Sequence, residues 1–203
     1  NSNWCEVYRI MKLIFASNSP RRKKLLKEFN IEVEFIPHLF DEDAVDKSLD
    51  PISYCKKMAD EKTNSLAHKY SSSPIISADT IVVSPDNKIF EKPKDKEEAF
   101  KMLCSLSGRT HSVLTGVDFK FINQKINFNF VERTLVEFNE LDQSEIQYYI
   151  ENYSPYDKSG SYGIQDFSSI FVKSIEGCYF NVVGLPLSSL FAHLKKYKIV
   201  QFA

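Results

Sequence analysis

Hydrophobic and polar positions follow two different periods along the chain, which predicts that strands and helices alternate. Apolar runs and period-two alternation predict strands at 12–16, 31–36, 75–83, 110–122 and 126–138. Apolar residues at helical spacing, with capping residues ahead of them, predict helices at 20–29, 51–70, 95–107, 142–151 and 186–197. The chain is therefore expected to be α/β, with a mixed sheet that contains one long antiparallel hairpin.

The first strand, loop and helix carry an unusual charge pattern. Ser19 suits the N-cap of the predicted helix and Pro20 suits its first position. Arg21 and Arg22 follow, at the positive end of the helix dipole, where basic side chains are disfavoured. A compensating anion, internal or bound, is favoured over a solvated first turn. Phosphate is the bound anion that such a helix start recognises best.

Two charged residues interrupt apolar faces. Lys62 lies on the apolar stripe of helix 51–70, where it either extends to the edge of the core or reaches into a cleft. Asp79 lies in the β-prone strand 75–83, where a carboxylate is costly unless it is paired, hydrogen-bonded or metal-bound. A structural carboxylate is the alternative. A functional role as base or metal ligand is favoured, because Thr80 adds a second polar group beside it.

Composition narrows the possible functions. The net charge of −1 provides no basic field for nucleic acid or acidic membranes. The four cysteines form no CxxC pair, so neither a zinc site nor a disulfide framework is expected, and Cys55 and Cys104 are expected in the core. No apolar run has the length of a membrane span and nothing resembles a secretory signal, which predicts a cytoplasmic protein.

The length and the position of Met11 set the expected domain limits. A chain of 203 residues is long enough for one sizeable domain, expected at 11–203 with two joined lobes. Residues 1–10 precede Met11 and are interpreted as an N-terminal extension or as residues added by cloning.

Eight short motifs follow one another along the chain, two of them in two parts. They are ASNSPRRKKLL at 16–26, DE at 41–42, ADEK at 59–62, SADT at 77–80, EKP at 91–93, SGRTH with TGV within 107–117, DKSG with YGIQ within 157–165, and VVGLP at 182–186. Taken together, from Met11 to about Leu194, they resemble the Maf family of nucleoside triphosphate pyrophosphatases. Any one of these motifs is weak, whereas eight in the same order are highly specific.

The resemblance implies hydrolysis of a nucleoside triphosphate to its monophosphate and pyrophosphate, with Mg²⁺ or Mn²⁺. It also implies an elongated α/β fold with a cleft between two lobes, similar to inosine triphosphate pyrophosphatases, and often a homodimer. The YGIQ motif is similar to the subgroup that clears dTTP and UTP from nucleotide pools. The alternatives are a pyrophosphatase for ITP, XTP or 7-methyl-GTP, and a cell-division or septum regulator that acts by binding.

Residue roles follow from the resemblance together with side-chain chemistry. Arg21, Lys62 and Lys92 are expected to clamp the triphosphate, because guanidinium and ammonium groups both bind phosphate. The residues expected to support this clamp are Ser17, Ser19 and Arg22. Of the two arginines, Arg21 is expected to make the direct contact while Arg22 holds the loop.

The remaining roles concern catalysis and the nucleoside. Glu42 and Asp79 are expected to hold the metal or activate water, with Asp79 as the general base. Thr80 is expected to position the phosphate or Asp79. Lys158 and Gln165 are expected to frame the base and sugar.

Two positions depart from the motif that they otherwise resemble. Ser159 stands where the family has alanine, which adds a hydroxyl. Asp166 stands where the family has glycine and is expected to alter the backbone angles of the loop, and with them base selectivity.

Overall fold

A computed structural model describes residues 13–29, 31 and 33–200 of the chain. Within these residues seven strands form one sheet in the order β2-β1-β3-β5-β6-β7, with β4 added to β3. The strands are β1 Leu13–Phe15, β2 Val33–Phe35, β3 Ile75–Val83, β4 Ile89–Phe90, β5 Thr110–Phe121, β6 Ile126–Phe138 and β7 Val172–Glu176. The mixed α/β class is confirmed, while residues 1–10 and Met11 lie outside the described residues.

Six α-helices surround the sheet in the described part of the chain. They are α1 Pro20–Glu28, α2 Pro51–Ala67, α3 Lys96–Leu106, α4 Gln143–Tyr153, α5 Tyr179–Val183 and α6 Leu187–Lys196. The predicted caps are present: Ser19 accepts from the amide of Arg22, and Asp50 accepts from two amides of the first turn of α2. The short helix α5 was absent from the sequence-based prediction.

Strand β3 joins the parallel and antiparallel parts of the sheet. One of its edges pairs with β5 along its whole length. On the other edge β1 pairs only at Ile75 and Ile76, and β4 only at Val82 and Val83. Within the described residues this edge of β3 therefore has no strand partner between residues 77 and 81. This interval is called the β3 gap.

The two faces of β3 are covered differently, as the alternation of its side chains requires. Ser77 and Ile81 face α2, which packs across β3 and β5. On the opposite face Ala78 belongs to a core cluster with α1 and α6, whereas Val82 belongs to a second cluster with α3 and α4. Thr80 lies between Ala78 and Val82, at the boundary of the two clusters.

The two cysteines predicted for the core, Cys55 and Cys104, differ in burial. Cys55 is fully buried as expected, but Cys104 is exposed. The prediction for Cys104 is wrong, because the buried stripe of α3 runs through Ala99, Met102, Leu103 and Leu106 and turns Cys104 outward.

None of the helices in the described segments is long and apolar enough to cross a membrane.

Candidate active site

A cleft of about 340 Å³ opens at the β3 gap and extends between the two core clusters. A volume of this size suits a small-molecule ligand. Every residue predicted for the site lines the cleft: Ser17, Ser19, Arg21, Arg22, Glu42, Lys62, Asp79, Thr80, Lys92, Lys158 and Gln165. The fold thus brings together residues from α1, α2, β3 and the loops after β1, β2, β4 and α4.

Lys62 connects the two carboxylates of the site. Its Nζ donates to Asp79 Oδ1 at 2.6 Å and lies 2.9 Å from Glu42 Oε1. Burial by itself would lower the pKa of Lys62, but Asp79 and Glu42 outweigh burial and the pKa is raised. Lys62 therefore reaches into the cleft as a fixed positive charge, the second of the two alternatives that its sequence position allows.

His38 is a cleft residue that the sequence reasoning missed. Its Nε2 lies 3.2 Å from Glu42 Oε1, and its buried Nδ1 has no hydrogen-bond partner among the described residues. The pKa of Glu42 is lowered, because the hydrogen bond with His38 and the charge of Lys62 outweigh the effect of burial. Glu42 is therefore held as a carboxylate. The only signal in the sequence was the i, i+4 spacing of His38 and Glu42.

Asp79 is fixed in place through its backbone as well as its side chain. The buried Cys55 thiol donates to the Asp79 carbonyl at 3.2 Å and accepts from the Gly116 amide at 2.9 Å. Gly116 permits this close approach, since a Cβ there would lie 2.4 Å from the Cys55 carbonyl oxygen. Burial raises the pKa of the Cys55 thiol, which keeps it neutral.

The two consecutive arginines lie in different environments. Arg22 Nε donates to Gly184 O at 2.8 Å and its guanidinium also donates to Ser17 and Thr80, so it ties α1 to neighbouring elements. Burial lowers the pKa of Arg22 to about 10. Arg21 extends to the rim, where Nη2 donates to the Asp157 carbonyl at 2.9 Å and Nη1 pairs with the Asp157 carboxylate. Asp157 is thus the anion that offsets Arg21 in this structure.

Ser159 fills part of the β3 gap. Its hydroxyl donates to the Thr80 carbonyl at 2.7 Å, an acceptor on β3 that lies within the gap. The Thr80 hydroxyl in turn lies 2.9 Å from that of Thr115 on β5. The departure at Ser159 therefore supplies a hydrogen bond beside Asp79 that alanine does not provide.

The loop 157–166 forms the other wall of the cleft. Gln165 is exposed at its surface, and Lys158 Nζ lies 2.8 Å from Asp157 Oδ1 and 3.4 Å from Asp166 Oδ2. Asp166 has φ −115° and ψ −163°, extended backbone that any residue adopts. The expected effect of Asp166 on base selectivity stays a prediction, and the structure adds that its carboxylate lies beside Lys158.

Lys92 completes the cationic side of the cleft. It is exposed and, in the described segments, has no ion-pair partner within 4 Å, although its charge helps to lower the pKa of Glu42. Arg21, Lys62 and Lys92 thus surround a space in which only Lys92 is free of a carboxylate contact. An anionic ligand could therefore bind Lys92 directly, whereas it would share Arg21 and Lys62 with the carboxylates that already contact them.

Two carboxylates of the cleft, Glu42 and Asp79, are the candidate ligands for a metal ion. No group of three or more His, Cys, Asp and Glu side chains in the described part of the chain is arranged to hold a metal. Glu42 and Asp79 nevertheless share Lys62, which places two carboxylates on the same side of the cleft. Mg²⁺ commonly uses one or two carboxylates together with substrate phosphates and water, so these residues fit such an ion.

Comparisons with known proteins find similar chains over most of the sequence. The family model described as Maf-like protein matches residues 12–197. The dTTP/UTP pyrophosphatase of Carboxydothermus hydrogenoformans is 44% identical over 187 residues, which cover 92% of this chain and 99% of that protein. The dTTP/UTP pyrophosphatase of Thermosipho africanus is 45% identical over 184 residues, which cover 89% of this chain and 90% of that protein.

One solved structure supports the fold independently. The Staphylococcus aureus Ham1 protein superposes with a TM-score of 0.51 and 14% sequence identity, covering 92% of this chain and 99% of that one. At this identity the similarity concerns the arrangement of strands and helices alone.

Proposed function

Since the chain belongs to the Maf-like protein family, we propose that it is a nucleoside triphosphate pyrophosphatase that hydrolyses dTTP and UTP. Relatives of that name cover most of the chain at 44–45% identity. The products are the nucleoside monophosphate and pyrophosphate, and the role is the clearance of nucleotide pools.

The observation that carries this proposal is the pairing of Lys62 with both Glu42 and Asp79 inside a cleft rimmed by further cations. A nucleotide-binding protein needs cations for the phosphates, but it does not need two carboxylates facing them. Hydrolysis needs both, because the phosphates must be held while a water molecule is activated.

The reaction assigns separate tasks to these groups. Arg21, Lys62 and Lys92 bind the triphosphate and offset the charge that develops on it. Asp79 accepts a proton from water through Oδ2, since Lys62 uses Oδ1. The water oxygen forms a bond to the α-phosphorus, and the bond from that phosphorus to the bridging oxygen breaks. Pyrophosphate leaves with the electron pair of the broken bond.

The carboxylates have a second task in this proposal. Glu42 and Asp79 would hold Mg²⁺ or Mn²⁺, which supplies positive charge next to the phosphate oxygens. His38 holds the Glu42 carboxylate through Oε1, and Lys62 keeps both carboxylates on one side of the cleft.

The nucleoside end of the cleft is assigned to the loop 157–166. Gln165 carries an amide that both donates and accepts hydrogen bonds, which suits the edge of a pyrimidine base. Lys158 lines the same cleft and frames the sugar.

A pyrophosphate-release assay over dTTP, UTP, CTP, ITP and 7-methyl-GTP, with Mg²⁺ and Mn²⁺ in turn, tests the proposal. Turnover of dTTP and UTP well above the others is expected. Preference for ITP or for 7-methyl-GTP would overturn the substrate assignment. Turnover of none, with nucleotide still bound, would favour the alternative of a protein that acts by binding.

A further inference from the structure

Four charged side chains of alternating sign form a continuous chain along the rim of the cleft. Arg21 pairs with Asp157, Asp157 Oδ1 lies 2.8 Å from Lys158 Nζ, and Lys158 Nζ lies 3.4 Å from Asp166 Oδ2. The two cations meet on the two oxygens of one carboxylate. An anion that replaced the Asp157 carboxylate would therefore be within reach of both Arg21 and Lys158.

Two contacts hold Lys158 against its own loop in this structure. Its side-chain stem crosses Gly163, where a Cβ would lie 2.9 Å from both Cδ and Cε of the lysine. Its ammonium lies 3.4 Å from Asp166 Oδ2, and Asp166 Oδ1 is itself held by the Ser168 amide at 3.0 Å and the Ser168 hydroxyl at 2.6 Å. These bonds hold the Asp166 carboxylate in place, and Asp166 does not line the cleft itself.

We propose that Asp166 is a positioning residue that keeps Lys158 on its own loop, against Gly163, and withholds it from the phosphates of the ligand. The role rests on the proposed triphosphate site and concerns how tightly that site holds its ligand. It keeps Lys158 at the nucleoside end and leaves Arg21, Lys62 and Lys92 as the phosphate cations.

The charges on the rim support this division. Arg21 and Lys158 are balanced by Asp157 and Asp166. The pKa of Asp157 is lowered because Lys158 and Arg21 outweigh its partial burial, so this carboxylate stays charged between them. Loss of the Asp166 charge would leave two cations sharing one carboxylate and would allow Lys158 to turn towards the ligand.

The test measures binding of inorganic tripolyphosphate by calorimetry, without metal, to the full chain and to Asp166→Asn. Asparagine keeps an oxygen for Ser168 but removes the charge beside Lys158. The variant is expected to bind tripolyphosphate roughly two- to fivefold more tightly, the usual worth of a partly exposed ion pair. A matched control is Asp86→Asn, which removes an exposed aspartate that pairs with Arg109 outside the cleft.

The double variant Asp166→Asn with Lys158→Gln separates positioning from general repulsion. When the double variant is compared with Lys158→Gln alone, the gain in affinity for tripolyphosphate should be absent, because no lysine remains to be released. An unchanged affinity in Asp166→Asn, an equal gain in Asp86→Asn, or a gain that persists without Lys158 would each overturn the role. If the unaltered chain binds no tripolyphosphate, the triphosphate site itself fails and this role fails with it.

Discussion

Arg22 donates a hydrogen bond from Nη2 to the Thr80 hydroxyl at 3.1 Å, and this contact ties the start of α1 to the middle of β3. The same guanidinium donates to Gly184 and Ser17. Arg22 therefore holds neighbouring segments together at the floor of the cleft, whereas Arg21 extends to the rim and contacts Asp157. Adjacent arginines of identical chemistry thus have separable effects on stability and on binding.

Arg22→Gln is expected to destabilise the protein by about 2–4 kcal/mol, because the hydrogen bonds that the buried guanidinium donates to Gly184, Ser17 and Thr80 are lost. Arg21→Gln is expected to change the free energy of unfolding by less than about 1 kcal/mol, since its pair is partly exposed, but to raise the KM for dTTP. Urea titration and initial rates measure the two effects. Equal loss of stability in both variants would contradict the assignment of stability to Arg22 and of ligand binding to Arg21.

Asp79→Asn is expected to fold normally and to lose hydrolysis by about 10²–10⁴-fold, the usual cost of removing a general base. Its amide keeps an oxygen for Lys62 but no longer takes a proton from water. Pyrophosphate release measures the rate, and thermal melting controls for the fold. Turnover near that of the unaltered protein would remove Asp79 from the chemistry.

Gly116→Ala is expected to destabilise the chain by about 1–3 kcal/mol, because the new Cβ would meet the Cys55 carbonyl oxygen at 2.4 Å. The clash pushes α2 from β5 and carries Lys62 away from Asp79, so kcat should fall too. Cys55→Ala added to Gly116→Ala should not restore stability, since the obstacle is main-chain oxygen. Restoration by that second change would show that the sulfur, not the backbone, is the obstacle.

His111 gives stability a predictable pH dependence. It is buried on β5 with its Nε2 2.8 Å from the Tyr162 hydroxyl, and burial lowers its pKa to about 4 from the usual 6.5. Between these values the unfolded chain binds a proton that the folded chain does not, so stability falls as the pH drops from 6.5 towards 4. Once the pH is below about 4, the free energy of unfolding is lower by on the order of 3 kcal/mol.

Urea titrations at several pH values, compared with His111→Gln, measure this dependence. The glutamine variant shares every other titrating group and should lose less stability over the same interval. Parallel curves for the two proteins would contradict the assignment to His111.

Patterns along the chain were sufficient for the parts of the site that depend on local geometry. Helical spacing places Lys62 on the apolar side of α2, and strand alternation places Asp79 on the same face of β3 as Ser77 and Ile81, so each side chain could be assigned to a face from its periodicity alone. The caps at Ser19 and Asp50 are equally local. These features need no knowledge of strand order.

Other contacts depend on which edge of β3 stays open, and no local pattern contains that information. Ser159 meets Thr80 only because the β3 gap leaves a carbonyl for it, and Arg21 meets Asp157 across 136 positions. His38 becomes part of the site because the loop after β2 folds over Lys62. Each of these required the three-dimensional topology.

The β3 gap gives one strand two kinds of backbone amide. Amides that face β5 are shielded along the strand, whereas those between Ile76 and Val82 that face the cleft border the space in which a ligand would sit. In deuterated water the second kind should exchange by local exposure and the first only through larger openings. An occupant of the cleft would then slow exchange at alternate residues of a single strand, so that β3 itself reports occupancy without an attached reporter group and without turnover.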